Sequence, residues 1–402
     1  MPGLPLDGLT IIEIGQEVSA PYAGKMFADL GALVIKIESP KTGDPARALA
    51  PHKPDVAPPE SSGLFAYLNS NKKSITVNLH DPRGINLVEG LCRKADVVLE
   101  NFSPGTVEKL GLGFERIHCL NSDTLLTSIT WFGQQGPYCD FIGNDPMIYA
   151  LSGLSYYLGP IEGPPTFLGG YQAQFVGGLT GFSATMGALA GRANGFDGQH
   201  IDVSIMEANL CFTETGAASF ANSGEPGLRL GVNRFIPTYP ACPFPCQDGW
   251  IGVTALTPAQ WKALSSMLDR PEWGENPDYF TSLQRLEQAD VLEPLLTERF
   301  LERTAEEWFH EAQARRIPFA LVPTMSDLLS NSQFKERQAF VPIDHPDLGS
   351  FQAPSIPFKL LQTPALAGGS APRLGSHTRE VLADRLGLKE IEIDALQKEG
   401  VI

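Results

Sequence analysis

The chain has 402 residues, of which 43% are hydrophobic and 19% are charged, so it can bury a large core and is expected to form more than one domain. Its formal net charge of −16 argues against nucleic acid or an anionic membrane as the main partner. The sequence begins without the basic segment of a signal peptide and has no run of about 20 apolar residues that would span a bilayer, so a cytoplasmic location is expected.

The start of the sequence has the pattern of a strand, a helix and a second strand. Apolar residues over 9–14 predict the first strand, Pro21 opens the helix, Gly31 ends it, and 33–38 predicts the second strand. The turn after the first strand has no G-x-G-x-x-G sequence. NAD is therefore not an expected cofactor, although Glu38 ends the second strand where a dinucleotide-binding fold would hold a ribose.

The same alternation continues along the chain. Two further strands are predicted over 74–79 and 95–100, on either side of a helix that starts near Pro82. Parallel strands need crossover connections, which are usually helices, so this alternation predicts an α/β fold with a parallel sheet.

The six cysteines are scattered along the sequence, as is usual for thiols in a reducing compartment. Cys242 and Cys246 are the closest pair, but they have no second pair and no histidine nearby. A zinc site needs about four ligands, so no metal is expected.

A glycine-rich helix is predicted over 174–192. Its small residues recur every three or four positions and therefore share one face of the helix. They are Gly178, Gly181, Ala184, Ala188 and Gly191. Each glycine inside a helix costs about 1 kcal/mol against alanine, so such a face needs a structural reason. Close packing against another helix would provide one, and so would a helix N-terminus that lines a site for negative charge.

Eight stretches of the sequence read LDGLTIIEIGQEVSAPYAGKMFADLGALVIKIESPKTGDPAR, YLNSNKKSITVNL, ADVVLENFSPGTVEKLGLG, SITWFGQQGPY, GNDPMIYALSGL, GQHIDVSIMEA, YPACPFPCQDGWIGV and APRLGSHTREVL. In this order they resemble the class III CoA-transferases of the CaiB/BaiF family, over essentially the whole chain. The family also includes the 2-methylacyl-CoA racemases.

The resemblance implies an α/β fold with a large Rossmann-like domain built from both ends of the chain. Residues 1–226 would form its N-terminal part, 227–330 an inserted small domain, and 331–402 a segment that returns to the large domain. Members of the family form interlocked dimers, in which each chain threads through the other.

The resemblance also implies a binding site for coenzyme A or an acyl-CoA, which would be a substrate. Residues that match the family's CoA-contacting positions are Val18, Ser19 and Ala20 near the thioester, Val77 and His80 near the adenine, Asn101, Phe102 and Thr106 along the pantetheine, and Lys109 and Thr130 at the phosphates. Lys109 stands where family members carry arginine, which keeps the charge but loses the bidentate fork. Lys72 and Lys73 are further candidate cations for the phosphates, and the alternative is that they are solvated surface residues.

In this family an aspartate attacks the acyl-CoA thioester and forms a mixed anhydride, which is nucleophilic covalent catalysis. The position of that aspartate falls on Gln174, and 168–176 contains no Asp or Glu. An amide is far less nucleophilic than a carboxylate. The sequence therefore predicts a chain that lacks the family's nucleophile.

The racemases of the family need a histidine before an aspartate in a GHD motif, in addition to the catalytic aspartate, to move a proton at the α-carbon. Here the corresponding residues are Gly143, Asn144 and Asp145, so racemisation is the least supported activity. Asp145 remains a candidate for a position near the thioester. A helix cap before the sequence PMIYALSG is the preferred interpretation of this residue.

The missing aspartate is explained if the chain is one subunit of a heteromeric CoA-transferase and a paralogous partner supplies the nucleophile. The family includes such two-subunit enzymes, among them the one that activates benzylsuccinate, an aromatic dicarboxylate, with succinyl-CoA. Two alternatives stay open, namely a CoA-thioester-binding protein without turnover, and a homodimeric transferase that uses Asp145 or Glu207 as a substitute nucleophile.

Overall fold

The computed structural model describes residues 3–225, 227–235, 237–366 and 368–402. The chain forms two compact units. The larger unit consists of residues up to 154 together with 167–221 and 333–402, and the smaller one of 155–166 and 222–332. The domain limits given above, with a small domain at 227–330, stay a prediction.

A parallel six-stranded sheet forms the centre of the larger unit. Its strands are β1 (Thr10–Glu13), β2 (Leu33–Glu38), β3 (Lys73–Thr76), β4 (Val97–Glu100), β5 (Leu125–Thr130) and β6 (His200–Ser204). They are arranged in the order β3-β2-β1-β4-β5-β6, and all neighbours are parallel. This is the strand order of the Rossmann fold, so the predicted α/β class and Rossmann-like architecture are confirmed.

Helices connect these strands. The first predicted helix begins at Ser19, two residues before Pro21, and the next predicted one begins at Pro82. In the first part of the chain the helices are α1 (Ser19–Asp29), α2 (Gly63–Leu68), α3 (Pro82–Cys92), α4 (Thr106–Lys109), α5 (Phe114–Leu120), α6 (Asp145–Leu151), α7 (Leu154–Tyr157), α8 (Gln172–Ala193), α9 (Ile205–Ala208) and α10 (Glu214–Ser223). The Asp81 side chain caps α3 ahead of Pro82, whose ring suits the first helical turn. Among the helices that the structure describes, none combines the length and the apolar character needed to cross a bilayer.

The side chains of each strand point alternately to the two faces of the sheet, and both faces are apolar. Ile11 and Val34 pack in one core with residues of α1 and α8, whereas Ile12 and Ile35 pack in the other with residues of α3 and α5. Side chains that are neighbours in a strand point to opposite faces, and a parallel sheet buries both. The sheet and the helices on its two faces therefore form three layers, and the carboxyl edge of the sheet is held in place from both sides.

The C-terminal residues join this framework. They include a hairpin of β10 (Phe340–His345) and β11 (Gly349–Pro354), followed by α18 (Thr378–Leu386) and α19 (Glu390–Lys398). Val381 of α18 belongs to the core beneath β1–β4, and the backbone N–H of Asn78 donates to the carbonyl of Val401. Both ends of the chain therefore build the larger unit, as the resemblance implies.

The smaller unit has its own three-stranded sheet and helical layer. Its strands are β7 (Ala241–Pro245), β8 (Trp250–Thr254) and β9 (Phe319–Leu321), and its helices are α11 (Pro258–Met267), α12 (Pro271–Glu275), α13 (Ser282–Glu287), α14 (Ala289–Phe300), α15 (Ala305–Ala314) and α16 (Met325–Ser330). Helix α17 (Ser332–Glu336) follows at its border, and 3₁₀ turns occur at Pro45–Ala48, Asn209–Phe212 and Pro277–Tyr279. Cys242 and Cys246 are buried in the apolar core of this unit, with Trp261 and Trp308.

The glycine face of α8 serves close packing. An added Cβ at Gly177 would lie 2.7 Å from Ile205, at Gly178 2.5 Å from the carbonyl oxygen of Ser19, and at Gly181 2.5 Å from Ile129. Side chains cannot occupy such gaps, so these glycines let α8 sit against α1 and the sheet. Of the two reasons that the sequence left open for this face, close packing accounts for Gly178 and Gly181, and it also accounts for the neighbouring Gly177.

Candidate active site

A cavity of about 150 Å³ lies at the carboxyl edge of the sheet. It is lined by Gln16, Glu17, Ser19, Asn101, Phe102, Ile129, Trp131, Gln174 and Ile205. Gln16, Glu17 and Ser19 follow β1, and Asn101 and Phe102 follow β4. Ile129 and Trp131 lie at the end of β5, Ile205 begins α9 after β6, and Gln174 lies in the first turn of α8. The chain leaves β1 and β4 in opposite directions along the sheet, and the crevice at such a switch point is where α/β folds bind ligands.

Asn101 holds the turn that forms one wall of the cavity. Its Oδ1 accepts a hydrogen bond from the backbone N–H of Gln16 at 2.7 Å, and its Nδ2 donates to the Gln16 carbonyl at 2.7 Å and to the Ser19 hydroxyl at 3.0 Å. One side chain after β4 thus satisfies both backbone groups of a residue after β1.

Glu17 stands at the tip of this turn with a left-handed backbone, at φ 60°. Its N–H donates to Oδ1 of Asp44 at 2.9 Å, which holds the residue in a conformation that side chains seldom adopt. Partial burial and the neighbouring Asp44 carboxylate both raise the pKa of Glu17. Glu17 is the only formally charged residue among those that line the cavity, and its raised pKa makes the charged form less favourable than that of an ordinary glutamate.

A buried ion network lies behind the turn. Lys36 is fully buried, and its Nζ contacts Oε1 of Glu13 at 2.9 Å, Oδ2 of Asp44 at 2.6 Å and the carbonyl of Gly15 at 3.0 Å. The charge of Lys36 is thereby engaged by two carboxylates. Lys36 fixes the position of the turn but contributes no group to the cavity.

The prediction that Lys72 binds CoA phosphates does not fit this network. Its Nζ contacts both carboxylate oxygens of Glu13, the carbonyl of Pro21 at 2.8 Å and Oδ1 of Asn69 at 2.9 Å. The side chain has no exposed surface, so its ammonium group is closed to an external phosphate. Lys73, the next residue, is partly exposed and pairs with Glu380.

Gln174 and Asp145 form a buried pair at the start of α8. Oδ1 of Asp145 accepts the backbone N–H of Gln174 at 3.2 Å, and Oδ2 accepts the side-chain Nε2 at 3.1 Å. The preceding N–H, that of Ala173, donates to the Tyr149 hydroxyl at 3.0 Å. These donors in the first turn of α8 are therefore satisfied by side chains of α6 and not left open for a ligand.

The preferred interpretation of Asp145 as a helix cap is wrong by one residue. Asn144 caps α6, since its side chain accepts the N–H of Met147 at 3.0 Å, and Asp145 is the first residue of the helix. Asp145 is only 5% exposed, and both of its carboxylate oxygens accept hydrogen bonds from Gln174. Glu207, the other candidate nucleophile, is exposed in the first turn of α9 and does not line the cavity.

The remaining predicted CoA contacts divide by position. Ser19, Asn101 and Phe102 line the cavity with Gln174, whereas the other predicted positions lie outside its lining. Val18, Ala20, Val77 and Thr130 are buried, Thr106 is half-buried, and His80 and Lys109 are exposed. Val77 and Thr106 follow β3 and β4, so the parallel topology places them on the same edge of the sheet as the cavity.

Glu100, the last residue of β4, carries a buried carboxyl group below the cavity wall. Its Oε2 accepts the N–H of Phe102 at 2.8 Å, and a Ser128 hydroxyl also bonds to it. Burial is the main cause that raises the pKa of this group to about 7, and the charges of Glu108 and Asp202 act in the same direction. Near neutral pH, the turn that holds Asn101 and Phe102 thus rests on a carboxyl group that exchanges its proton.

Replacing Glu100 with Gln is expected to stabilise the chain at pH 8 and not at pH 5. Between the ordinary carboxyl pKa and about 7, the folded chain keeps a proton that the unfolded chain releases, so the free energy of unfolding falls as pH rises through this window. The Gln variant lacks this loss, which amounts to about 3 kcal/mol. Denaturant unfolding of both proteins at the two pH values measures the difference, with Glu115→Gln, an exposed change on α5, as the control. An equal difference at pH 5 and pH 8 would contradict the assignment.

Ile129, Trp131 and Ile205 were not predicted as site residues from the sequence, and neither were Gln16 and Glu17. The turn of the last two is visible there as the segment GQEVSA, but its shape depends on Asn101 and Asp44, which are distant in sequence. The glutamate after β1 offers no local signal of its left-handed backbone. Only the expectation that a parallel sheet binds its ligand at the carboxyl edge would have pointed to this turn.

A sequence profile of CoA-transferase family III matches residues 6–378. The succinyl-CoA–D-citramalate CoA-transferase of Chloroflexus aurantiacus is 32% identical, over 100% of this chain and 99% of that protein. The succinyl-CoA:glutarate CoA-transferase of Mus musculus is 31% identical, over 99% of this chain and 90% of that protein. The alpha and beta subunits of succinyl-CoA–L-malate CoA-transferase of Chloroflexus aurantiacus are both 29% identical over 99% of this chain, and the matches cover 87% and 98% of those subunits.

The fold has a close counterpart among solved structures. A CaiB/BaiF family protein from Brucella suis superimposes with a TM-score of 0.85 at 29% sequence identity. The superposition covers 95% of this chain and 100% of that chain. Sequence and structure therefore point to the same family across almost the whole length.

Proposed function

The chain belongs to CoA-transferase family III, the CaiB/BaiF or class III CoA-transferases, and we propose that it is the nucleophile-lacking subunit of a two-subunit enzyme of this family. The proposal is carried by the amide of Gln174, which lines the cavity and falls where the resemblance places the family's nucleophile. An amide nitrogen is not a useful nucleophile, and Gln174 is bound to Asp145 besides. Transfer of CoA then requires a carboxylate from another chain.

A paralogous subunit is the proposed source of that carboxylate. The alpha and beta subunits of the Chloroflexus malate enzyme resemble this chain equally well, so the family accommodates enzymes built from two related chains. In an interlocked dimer of such chains, each protomer contributes elements near the other's site. That assembly, like the cytoplasmic location, stays a prediction from the resemblance.

The proposed reaction moves CoA from succinyl-CoA to a dicarboxylic acid. The relatives are named for succinyl-CoA and for citramalate, glutarate or malate, all of which are dicarboxylic acids. Phe102 and Trp131 line the cavity and would suit a larger acyl group. An aromatic dicarboxylate such as benzylsuccinate is therefore kept as a specific candidate for the acceptor.

CoA itself is proposed to lie across the carboxyl edge of the sheet. Ser19, Asn101 and Phe102 would contact the pantetheine and thioester, and Val18 and Ala20 would support them from the buried side. Val77 and His80 would lie toward the adenine, with Thr106 beside the pantetheine. Lys109 is exposed and without an ion pair among the described residues, so it is the proposed phosphate cation, and Thr130 is the weaker candidate because it is buried.

The second candidate function is a CoA-thioester-binding protein without turnover, which the presence of the cavity also supports. A self-sufficient homodimer has less support, because Asp145 is engaged by Gln174 and Glu207 lies away from the cavity.

Native mass spectrometry of the complex from its own source, paired with a succinyl-CoA-dependent transfer assay, tests the proposed function. We expect equal amounts of this chain and a second chain of similar size in an active complex. An active homodimer would overturn the proposal, and an inactive homodimer that binds CoA would favour the binding protein.

A further inference from the structure

We propose that Glu100 is a positioning residue of the CoA-thioester site, and that it exchanges its proton with His200 through the hydroxyl group of Ser128. These three side chains form a chain of hydrogen bonds that ends at the cavity wall. The inference rests on the proposed function, because it takes the cavity as the site of a CoA thioester. It adds a control over the turn that carries Asn101 and Phe102.

The register of the sheet brings the polar side chains together. Glu100 of β4 lies opposite Ser128 of β5, and Ser128 lies opposite Asp202 of β6. His200 precedes Asp202 by two residues in the same strand, so both point to the same face of the sheet. Val98, two residues before Glu100, belongs to an apolar core on this face. The polar groups therefore depend on one another for hydrogen bonds.

The hydrogen bonds lead from a partly exposed ring to the backbone of the cavity wall. Nε2 of His200 lies 2.9 Å from the hydroxyl oxygen of Ser128, and the same hydroxyl group bonds to the Glu100 carboxyl group. Oε2 of Glu100 accepts the N–H of Phe102 at 2.8 Å. Glu100 is 1% exposed and Ser128 is fully buried, whereas His200 is partly exposed. Ser128 thus offers the buried carboxyl group a path for protons to a ring that water can reach.

A serine hydroxyl has a single proton, which couples the two ends of this path. When Glu100 is ionised, Ser128 donates to it, and the Ser128 oxygen accepts from an Nε2–H of His200. When Glu100 is protonated, it donates to Ser128, which donates to an Nε2 without a proton. The change moves one proton from Nε2 to Oγ and another from Oγ to the Glu100 carboxylate, while Nδ1 takes a proton from water. The neutral ring of His200 thus changes its tautomer as Glu100 changes its charge.

The surrounding groups favour a neutral ring and a carboxyl group that titrates near neutral pH. The titratable groups near Glu100 are Glu108 on α4, His118 on α5, and His200 and Asp202 on β6. Burial is the main cause of the raised pKa of Glu100, and it also lowers the pKa of His200 against the attraction of Asp202 and Glu108. Phe114 contacts the rings of both His118 and His200, at 5.3 and 5.9 Å between ring centroids.

The charge of Glu100 sets how firmly the turn is held. A hydrogen bond to an ionised carboxylate is about twice as strong as one between neutral groups, so the N–H of Phe102 is held best when Glu100 is charged. Phe102 lines the cavity beside Asn101, which in turn binds the backbone of Gln16. The neutral form lets the turn leave this arrangement for part of the time, which lowers the affinity for a ligand by the same fraction. A CoA thioester is therefore expected to bind more tightly when Glu100 is ionised.

The test compares the full wild-type chain with Glu100→Gln by calorimetry with butyryl-CoA. The glutamine can accept the N–H of Phe102 and donate to Ser128, as the protonated glutamate does. The two proteins are expected to have equal Kd values at pH 5, and the wild type a Kd about fivefold lower at pH 8. Comparison at the same pH removes the titration of the CoA phosphates. Glu115→Gln, on the exposed surface of α5, is expected to match the wild type at both pH values.

Stability separates positioning from a purely structural role. Glu100→Gln is expected to be the more stable protein at pH 8, so its weaker binding there could not result from partial unfolding. Ser128→Ala removes a hydrogen bond that lowers the pKa of Glu100, so the rise in affinity with pH is expected to shift to higher pH. Ser183→Ala, at an exposed position of α8, is the matched control and is expected to leave the pH dependence unchanged.

The tautomer of His200 tests the proton path without a ligand. Nitrogen-15 NMR of the imidazole at pH 8 is expected to show a proton on Nε2 in the wild type. In Glu100→Gln the amide donates to Ser128 at every pH, so the proton is expected on Nδ1.

Equal Kd values for wild type and Glu100→Gln at pH 8, or failure of the wild type to bind butyryl-CoA, would overturn the positioning role. The same tautomer of His200 in both proteins at pH 8, or an unshifted pH dependence in Ser128→Ala, would overturn the proton path. The composition and activity of the native complex decide the proposed function separately, so the two failures are distinguishable.

Discussion

Purified without a partner, the chain is expected to transfer CoA from succinyl-CoA about a millionfold more slowly than the complex with its paralogous subunit. The loss corresponds to the removal of a covalent nucleophile. Gln174 presents an amide, and the carboxylate beside it, Asp145, is buried and has both oxygens hydrogen-bonded. Chromatographic assay of the acyl-CoA product for this chain, its partner and the mixture measures the difference.

A trapping experiment locates the nucleophile in the active complex. Hydroxylamine or borohydride reacts with an acylated or CoA-bound carboxylate, and peptide mass spectrometry then identifies the modified chain. The label is expected on the partner. Glu207→Gln serves as the control, since it removes an exposed carboxylate outside the cavity and is expected to leave the single-turnover rate of the complex close to wild type. A label on this chain, or collapse of turnover in that variant, would contradict the subunit model.

Replacement of Lys72 with Met is expected to destabilise the chain by about 3–5 kcal/mol. The substitution removes one of the two cations that contact Glu13 and leaves the Pro21 carbonyl and the Asn69 side chain without their buried donor. Breaking one side of a buried ion pair is costly because the remaining charge stays in a medium of low polarity. Thermal and denaturant unfolding of the full chain measure the loss.

Lys109→Met is the matched control for this change. Lys109 is exposed on α4, so its replacement is expected to leave the melting temperature unchanged and to weaken CoA binding. The two substitutions are thus expected to have different effects: the change at Lys72 lowers stability, and the change at Lys109 lowers the affinity for CoA. If the Lys72→Met variant had normal stability and weakened CoA binding, the result would support the original prediction that Lys72 binds the CoA phosphates.

Much of the larger unit was predictable because its signals are local. Apolar runs and the residues Pro21, Gly31 and Pro82 mark the strands and helices near their observed ends, and the strand over 33–38 was predicted to the residue. The glycine helix was also predicted, although the sequence did not show what its small face contacts. That answer depends on Ser19, which is far from α8 in the sequence.

The cavity was predictable only where the resemblance supplied a position. Ser19, Asn101, Phe102 and Gln174, which match positions of the family, line the same cavity, and their roles toward CoA stay a prediction. The roles that failed or were missed depend on contacts between distant segments. Two adjacent lysines look alike in NKKS, yet one faces Glu13 in the interior and the other Glu380 at the surface.

The hydrogen bonds between Asn101 and the turn after β1 have a consequence for how this protein can evolve. Asn101 binds the backbone of residue 16 and not its side chain, so this contact leaves the identity of residue 16 free, whereas the left-handed backbone at residue 17 restricts the residues that fit there. The turn can therefore exchange the side chain of residue 16 without refolding. New acyl preferences would then arise by one or two substitutions on a constant frame, and the same frame would outlast the loss of a catalytic group elsewhere in the cavity.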